Sequence, residues 1–232
     1  MRQIVSRELL DIPPVAVQHG AGVADLAALY ERYLEGHGLL GHGFVFRELA
    51  RLRRAPSADG PRSESTSHML PPPSCWHRMV PTLALAQVLR DRMVAEGAHG
   101  LRIAAAYRPA GGEDRSLHKV NAAIDLDLLP ADLGFDHVFA RIAAELWREH
   151  RHLKAGIGTY APALKGGTTA APWTRRAHLD TGYRFRARQG TGRDSAGRRT
   201  WAEVPAALVL AGSDDPSRED QGLVADASGP EV

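Results

Sequence analysis

The segment at residues 116–128, SLHKVNAAIDLDL, constrains the fold of this chain more than any other. A histidine and an aspartate, His118 and Asp125, sit with six residues between them in an otherwise apolar stretch that reads as a strand. Burying a charge is costly unless it is paired or bound to a metal. Any fold built on this strand must therefore bring a partner or a cation to both groups.

The chain has 232 residues, enough for one large domain or a domain with appendages. Its 44% apolar and 24% charged residues are ordinary for a globular protein. No apolar run approaches the roughly 18 residues of a membrane span, so no membrane span is expected. The opening MRQIVSRELLDIPP mixes charges with short apolar pieces and lacks the continuous apolar core of a secretory signal. A single cysteine, Cys75, excludes an internal disulfide and a Cys-x-x-Cys zinc pair, and it reads as a packing residue. The charge is unevenly spread. From Ser213 onward the chain carries net −5, which leaves +7 on the remainder. A basic body suits an anionic partner such as a cell-wall polymer. The arginines lack the interleaved aromatics of single-strand binders, so nucleic acid is not expected.

The patterning gives helices first, then strands. GVADLAALYERYLEG, from Gly22, spaces Val23, Leu26, Leu29, Tyr30, Tyr33 and Leu34 as a helix, and FVFRELARLRR, from Phe44, reads as a second, short one. Residues 55–74 are rich in Pro, Ser and charge and read as a long loop. A helix is expected from about Pro81, with proline tolerated in its first turn. GLRIAAAY and NAAIDLDLL follow as strands. FDHVFARIAAELWREH then forms an amphipathic helix with Phe135, Val138, Phe139, Ile142 and Leu146 on one face. GIGTY and RAHLDTGYRFRA are strands or strand ends, QGTGRDSAGRR a turn or loop, and TWAEVP a last strand. This order predicts an α+β fold. The division expected is a helical extension at 1–40, a main domain at 41–210 and a disordered acidic tail at 211–232.

Of eleven histidines, His19, His37, His42, His68 and His99 stand in polar or glycine-flanked places where exposure is the default. His118 and His178 differ: each stands near acids in a strand-like segment. With Asp125 they could form a site of two imidazoles and one carboxylate. Catalytic zinc favours three protein ligands plus a water whose pKa falls to about 7. Two other readings of these letters fail. HLD resembles the His-x-Asp of non-haem iron oxygenases, but no histidine follows His178 to complete that triad. DTG at Asp180 resembles an aspartic-protease loop, but a single copy flanked by YRFRARQ is too basic for one.

The neighbours sharpen the pattern. AAAYRP, ending in Tyr107, Arg108 and Pro109, precedes Ser116-x-His118-x-x-Asn121-x-Ala123-x-Asp125; AGIGTY and AHLDTGYRFR follow. Together, from about Phe44 to Trp201, these pieces resemble the zinc D-Ala-D-Ala carboxypeptidases and murein endopeptidases that share a core with the hedgehog signalling domain. The resemblance implies a small antiparallel sheet flanked by helices. It implies Zn2+ held by His118, Asp125 and His178, with Arg108 binding the substrate's carbonyl or carboxylate and stabilising the oxyanion, Ser116 contacting substrate or bracing the site, and Tyr107 contacting substrate. It further implies a monomer acting on peptidoglycan stem peptides in the periplasm or cell wall, and the absence of a visible signal leaves the localisation open.

Two departures matter. Asn121 stands where the family usually has Gly; Asn is the next most tolerant residue if the backbone there is left-handed. Arg175 occupies the place where some relatives carry an acid as general base. Asp180, on the same strand face as His178, is then the best substitute, either as the base or as a brace for a ligand. Glu113, Asp114 and His152 are weaker candidates, and Asp127 reads as a strand-end polar residue. The missing acid also admits a non-catalytic zinc-containing module that binds cell wall.

Overall fold

The computed structural model describes residues 4–18, 20–40, 44, 46–49, 70–98, 100–109, 116–129, 136–160, 176–182, 186–193, 195 and 199–203. Its helices are α1 (Val23–Gly36), α2 (Phe46–Leu49), α3 (Met79–Ala95) and α4 (Asp136–Glu149). Its strands are β1 (Gly100–Ala105), β2 (Ala123–Leu129), β3 (Gly156–Tyr160), β4 (Arg176–Asp180), β5 (Arg186–Arg193) and β6 (Arg199–Glu203). Short 3-10 turns at Arg7–Leu10, Pro73–Arg78, Leu117–Val120 and Arg151–Leu153 link them. The proline-rich loop before residue 70, residues 161–175 and everything after residue 203 lie outside the described residues.

Helices and sheet are both present, as an α+β fold requires. The strands form one six-stranded sheet in the order β1-β2-β4-β3-β5-β6. Its first four strands are antiparallel neighbours, which is the small antiparallel sheet expected. The sheet is larger and mixed beyond them, because β5 pairs with β3 in parallel and β6 then pairs antiparallel with β5. Residues 189–193, expected in a loop, belong to β5.

Strand alternation sorts the side chains. Ile124 and Leu126 of β2, Leu179 of β4 and Ile103 of β1 point into the core, and Asp125 and His178 point the other way. α3 lies under the core face and contacts β1, β2 and β4. Its first half is buried on every side, through Met79, Val80, Pro81, Leu83, Leu85 and Val88, and Leu89 and Met93 continue the buried side toward its end. A helical segment apolar all round has to be interior, whereas Gln87, Arg90, Asp91 and Arg92 in the second half of α3 are only part-buried. It begins two residues before Pro81, continuing directly from the 3-10 turn Pro73–Arg78. α4 packs beside it through Ile142, Ala143 and Leu146, with Val138 half-buried on the same side. Tyr30 and Leu34 of α1, and Val5 before it, join the same apolar cluster. The edge of β1 is covered by α2, whose Glu48 carboxylate accepts a hydrogen bond from the Ile103 amide at 3.2 Å.

Candidate metal centre

Two adjacent strands and one turn build the site. In the β2–β4 ladder Asp125 stands directly opposite His178, and Ala123 opposite Asp180. With period two, Asp125, His178 and Asp180 therefore share the face away from the core. His118 comes from the 3-10 turn Leu117–Val120 just before β2. That turn is closed by Asn121 in the left-handed conformation, φ 59° and ψ 32°. Asn meets this left-handed backbone at modest cost, being the most tolerant residue after Gly. The chain leaving β1 holds the turn from the other side. The Arg108 amide donates to the His118 carbonyl at 3.1 Å, and a bulge between Ile103 and Ala105 turns this strand end toward the site.

Three ligand atoms converge. His118 Nε2 lies 3.2 Å from His178 Nδ1 and 3.3 Å from Asp125 Oδ1, and His178 Nδ1 lies 3.2 Å from the same oxygen. Ligands at ~2.0–2.1 Å around a tetrahedral ion stand roughly 3.3 Å apart, so this near-equilateral triangle has the size of one face of such an ion's shell. The outer ring nitrogens are both engaged. His118 Nδ1 donates to the Ala106 carbonyl at 2.6 Å, and His178 Nε2 donates to Asp180 Oδ2 at 3.0 Å. Each neutral ring therefore turns a lone pair toward the carboxylate oxygen. Three electron-rich atoms facing one another need a cation, or a proton in its place, and this arrangement of outer hydrogen bonds is the one metal-binding histidines use. Buried His118, Asp125 and His178 are thus able to hold a metal ion.

The electrostatics agree. Burial pulls His118 below the ordinary histidine value despite the neighbouring Asp125. Burial alone would raise Asp125, but hydrogen bonds from His118 and His178 hold it well below the usual carboxylate range. Burial would likewise lower His178, yet the hydrogen bonds and charges of Asp125 and Asp180 outweigh it and raise the ring to about 9. Without a cation, a proton on His178 supplies the positive charge that the carboxylates demand. A metal would displace it, so binding should release a proton.

Asp180 is fully buried and set against the far nitrogen of His178, which is the bracing position of the two roles expected for it. Gly156 of β3 pairs with Asp180 in the ladder. A Cβ at residue 156 would stand 2.5 Å and 2.6 Å from the two Asp180 carboxylate oxygens, so only glycine leaves room for that carboxylate. Gly158 stands likewise opposite His178. Behind the site, the Thr82 hydroxyl of α3 donates to the Ala122 carbonyl at 3.2 Å and meets the Thr181 hydroxyl at 2.7 Å. The segments beside His118 and after Asp180 are thereby tied to the central helix.

The remaining expected residues fall at different distances from this centre. Arg108 reaches Asp125 Oδ2 with Nη2 at 3.4 Å, its side chain 30% exposed at the mouth of the site. Tyr107 and Ser116 are half-buried and flank the centre along the chain; Ser116 opens the His118 turn, its carbonyl accepting the Lys119 amide at 3.0 Å. Asp127 pairs with Arg102 at 3.2 Å, as a strand-end polar residue does. His152 is engaged elsewhere, donating from Nε2 to the Val5 carbonyl at 2.7 Å. Glu113, Asp114 and Arg175 lie outside the described residues. Sequence reasoning missed Ala106 and Gly156. Gly156 could have been suspected from the GIG of β3, but only the register shows that it faces Asp180.

The fold and site define an α+β protein that brings two histidines and one carboxylate together on its sheet in a group able to hold a metal ion. No family model, no curated protein and no solved structure matches the chain.

Proposed function

We propose that this protein is a zinc-dependent peptidase that hydrolyses peptide bonds in peptidoglycan stem peptides, of the D-Ala-D-Ala carboxypeptidase or murein endopeptidase type. The observation that carries the reading is the triangle of His118 Nε2, His178 Nδ1 and Asp125 Oδ1, with both outer ring nitrogens engaged. Its edges of 3.2–3.3 Å suit the spacing of three ligands around a tetrahedral ion at zinc's bond lengths. The substrate class comes from the ordered resemblance of residues 44–201 to that peptidase family, and the basic body suits an anionic wall polymer.

His118, Asp125 and His178 would hold the ion. Zinc bound there would supply an activated water and polarise the scissile carbonyl. Arg108, fixed by Asp125 Oδ2 and open to solvent, is placed to bind the substrate's carbonyl or carboxylate with its planar fork. Tyr107 and Ser116 border that opening and would contact the peptide. Asp180 keeps the His178 proton on Nε2 and the lone pair on Nδ1, which is a positioning role. In the reaction, water adds across the amide: the acyl carbon gains OH and the leaving amine gains H.

The engagement of Asp180 supports a second reading. With Arg175 where relatives carry an acid and Asp180 occupied as a brace, the chain could be a zinc-containing cell-wall-binding module without turnover. The two readings separate by incubating the zinc-loaded protein with purified murein and analysing the released peptides by mass spectrometry. A peptidase yields new termini that are absent with His118→Ala. Wild type that holds zinc and sediments with sacculi, yet releases nothing, would establish the module instead.

A further inference from the structure

Asn121 does more than tolerate a left-handed backbone. Glycine would meet that need alone, yet the asparagine side chain is buried at 1% exposure and reaches into the helical layer. Its Nδ2 donates to the Tyr30 hydroxyl and to the Cys75 carbonyl, each at 3.2 Å. The Cys75 carbonyl fixes the amide's orientation, because turning Oδ1 toward it would set two acceptors against each other. Tyr30 is itself immobilised. It is 1% exposed, stacked on Trp76 at 4.9 Å and edge-on to Phe46 at 5.7 Å. Burial drives its ionisation far above the ordinary range, so the hydroxyl stays neutral and able to accept. The turn bearing His118 is therefore gripped from α1 on one side, and by Arg108 and Thr82 on the others.

We propose that Asn121 and Tyr30 are positioning residues for His118, so that the N-terminal helix α1 helps set the affinity of the metal centre. The inference rests on the metal-centre reading above. A ligand held by a four-residue turn moves with that turn, and small shifts in ligand placement degrade a metal site.

The test is the zinc dissociation constant, read by competition with a chromophoric chelator, together with Tm in the metal-free state. The proteins are wild type, Asn121→Gly, Tyr30→Phe, the double variant and Leu34→Ala. Asn121→Gly keeps the backbone angle and removes both hydrogen bonds. Tyr30→Phe keeps the ring stacking and removes one. Leu34→Ala opens a cavity on α1 one turn away without touching Asn121. The expected result is zinc affinity weaker by about 10-fold or more in both site variants. The double variant should be no weaker than Asn121→Gly, since Tyr30 acts only through Asn121. Leu34→Ala should lower Tm and leave the affinity unchanged. Unchanged affinity in both site variants, or affinity that follows Tm in all of them including Leu34→Ala, would overturn the proposal while leaving the metal centre intact. Wild type that binds no zinc would overturn the metal centre itself, and this inference with it.

Discussion

Two pairs of histidines in this molecule look alike by burial and differ in where their nitrogens go. His118 and His178 pack with ring centroids 5.0 Å apart, and His150 and His152 with centroids 5.8 Å apart. His150 is completely buried, more so than either site histidine. Yet its Nδ1 donates to the Leu146 carbonyl at 3.0 Å and its Nε2 accepts the Val5 amide at 3.0 Å. His152 donates to the Val5 carbonyl. This second pair bonds to backbone and pins the N-terminal segment to the end of α4. In the first pair one nitrogen of each ring is satisfied by an outer partner, and the other is aimed at a shared carboxylate oxygen. A buried histidine is thus evidence of a ligand only when its second nitrogen faces other electron-rich atoms.

The largest expected difference between the pairs comes from removing one ring of each. His178→Ala should take zinc content from about one ion per chain to near zero, because two remaining ligands do not make a closed site. His150→Ala should leave zinc content unchanged. It should instead cost roughly 2–4 kcal/mol of stability through the cavity and the lost partner of the Val5 amide, a Tm loss of about 4–16 °C for a chain of this size. Zinc loss in His150→Ala at full folding would break the comparison.

A smaller effect is expected at Gly156. Gly156→Ala should push the Asp180 carboxylate off its position, loosen the His178 ring and weaken zinc binding by about 10–100-fold. Asp180→Asn should follow the same direction more mildly, since an amide oxygen still accepts from His178 Nε2. Chelator competition on both variants measures this; unchanged affinity in Gly156→Ala would mean that Asp180 does not orient the ligand.

The last effect is on stability against pH, and its sign differs between His178 and His150. In the metal-free protein His178 is raised to about 9, so it binds its proton more tightly folded than unfolded. Its contribution is fully present below the unfolded value of about 6.5 and is lost as pH rises through about 9. His150 is lowered, chiefly by burial, so its contribution is present above about 6.5 and is lost as pH falls through its lower folded value; His118 is lowered in the same sense. Urea unfolding of metal-free protein across this range should show declines on both sides, and His178→Gln should remove the alkaline decline alone. An alkaline decline that persists in His178→Gln would assign it to another group.

Much of this architecture was legible in the chain. The 3.6-residue spacing of Leu26, Tyr30, Tyr33 and Leu34 marked α1, and the alternation IDLDL marked β2 with its acids on one face. The convergence of His118, Asp125 and His178 was legible because residue type and order carry it. The parts that were not legible depend on long-range pairing. Gln189–Arg193, with Gly190 and Gly192, has weak local strand preference and is extended because β3 and β6 pair on either side of it. The partners of the site were hidden for the same reason. The Ala106 carbonyl, Gly156, Tyr30 and the Val5 clamp lie 12, 24, 91 and 145 residues from His118, Asp180, Asn121 and His150, the groups they meet. No local pattern encodes such meetings.

The most direct measurement is zinc stoichiometry by elemental analysis of purified wild type, His118→Ala and His150→Ala, each shown to be folded by circular dichroism. The account predicts about one zinc per chain in wild type and His150→Ala, and almost none in His118→Ala. A folded wild type that stays metal-free after zinc is supplied, or equal zinc in wild type and His118→Ala, would contradict it.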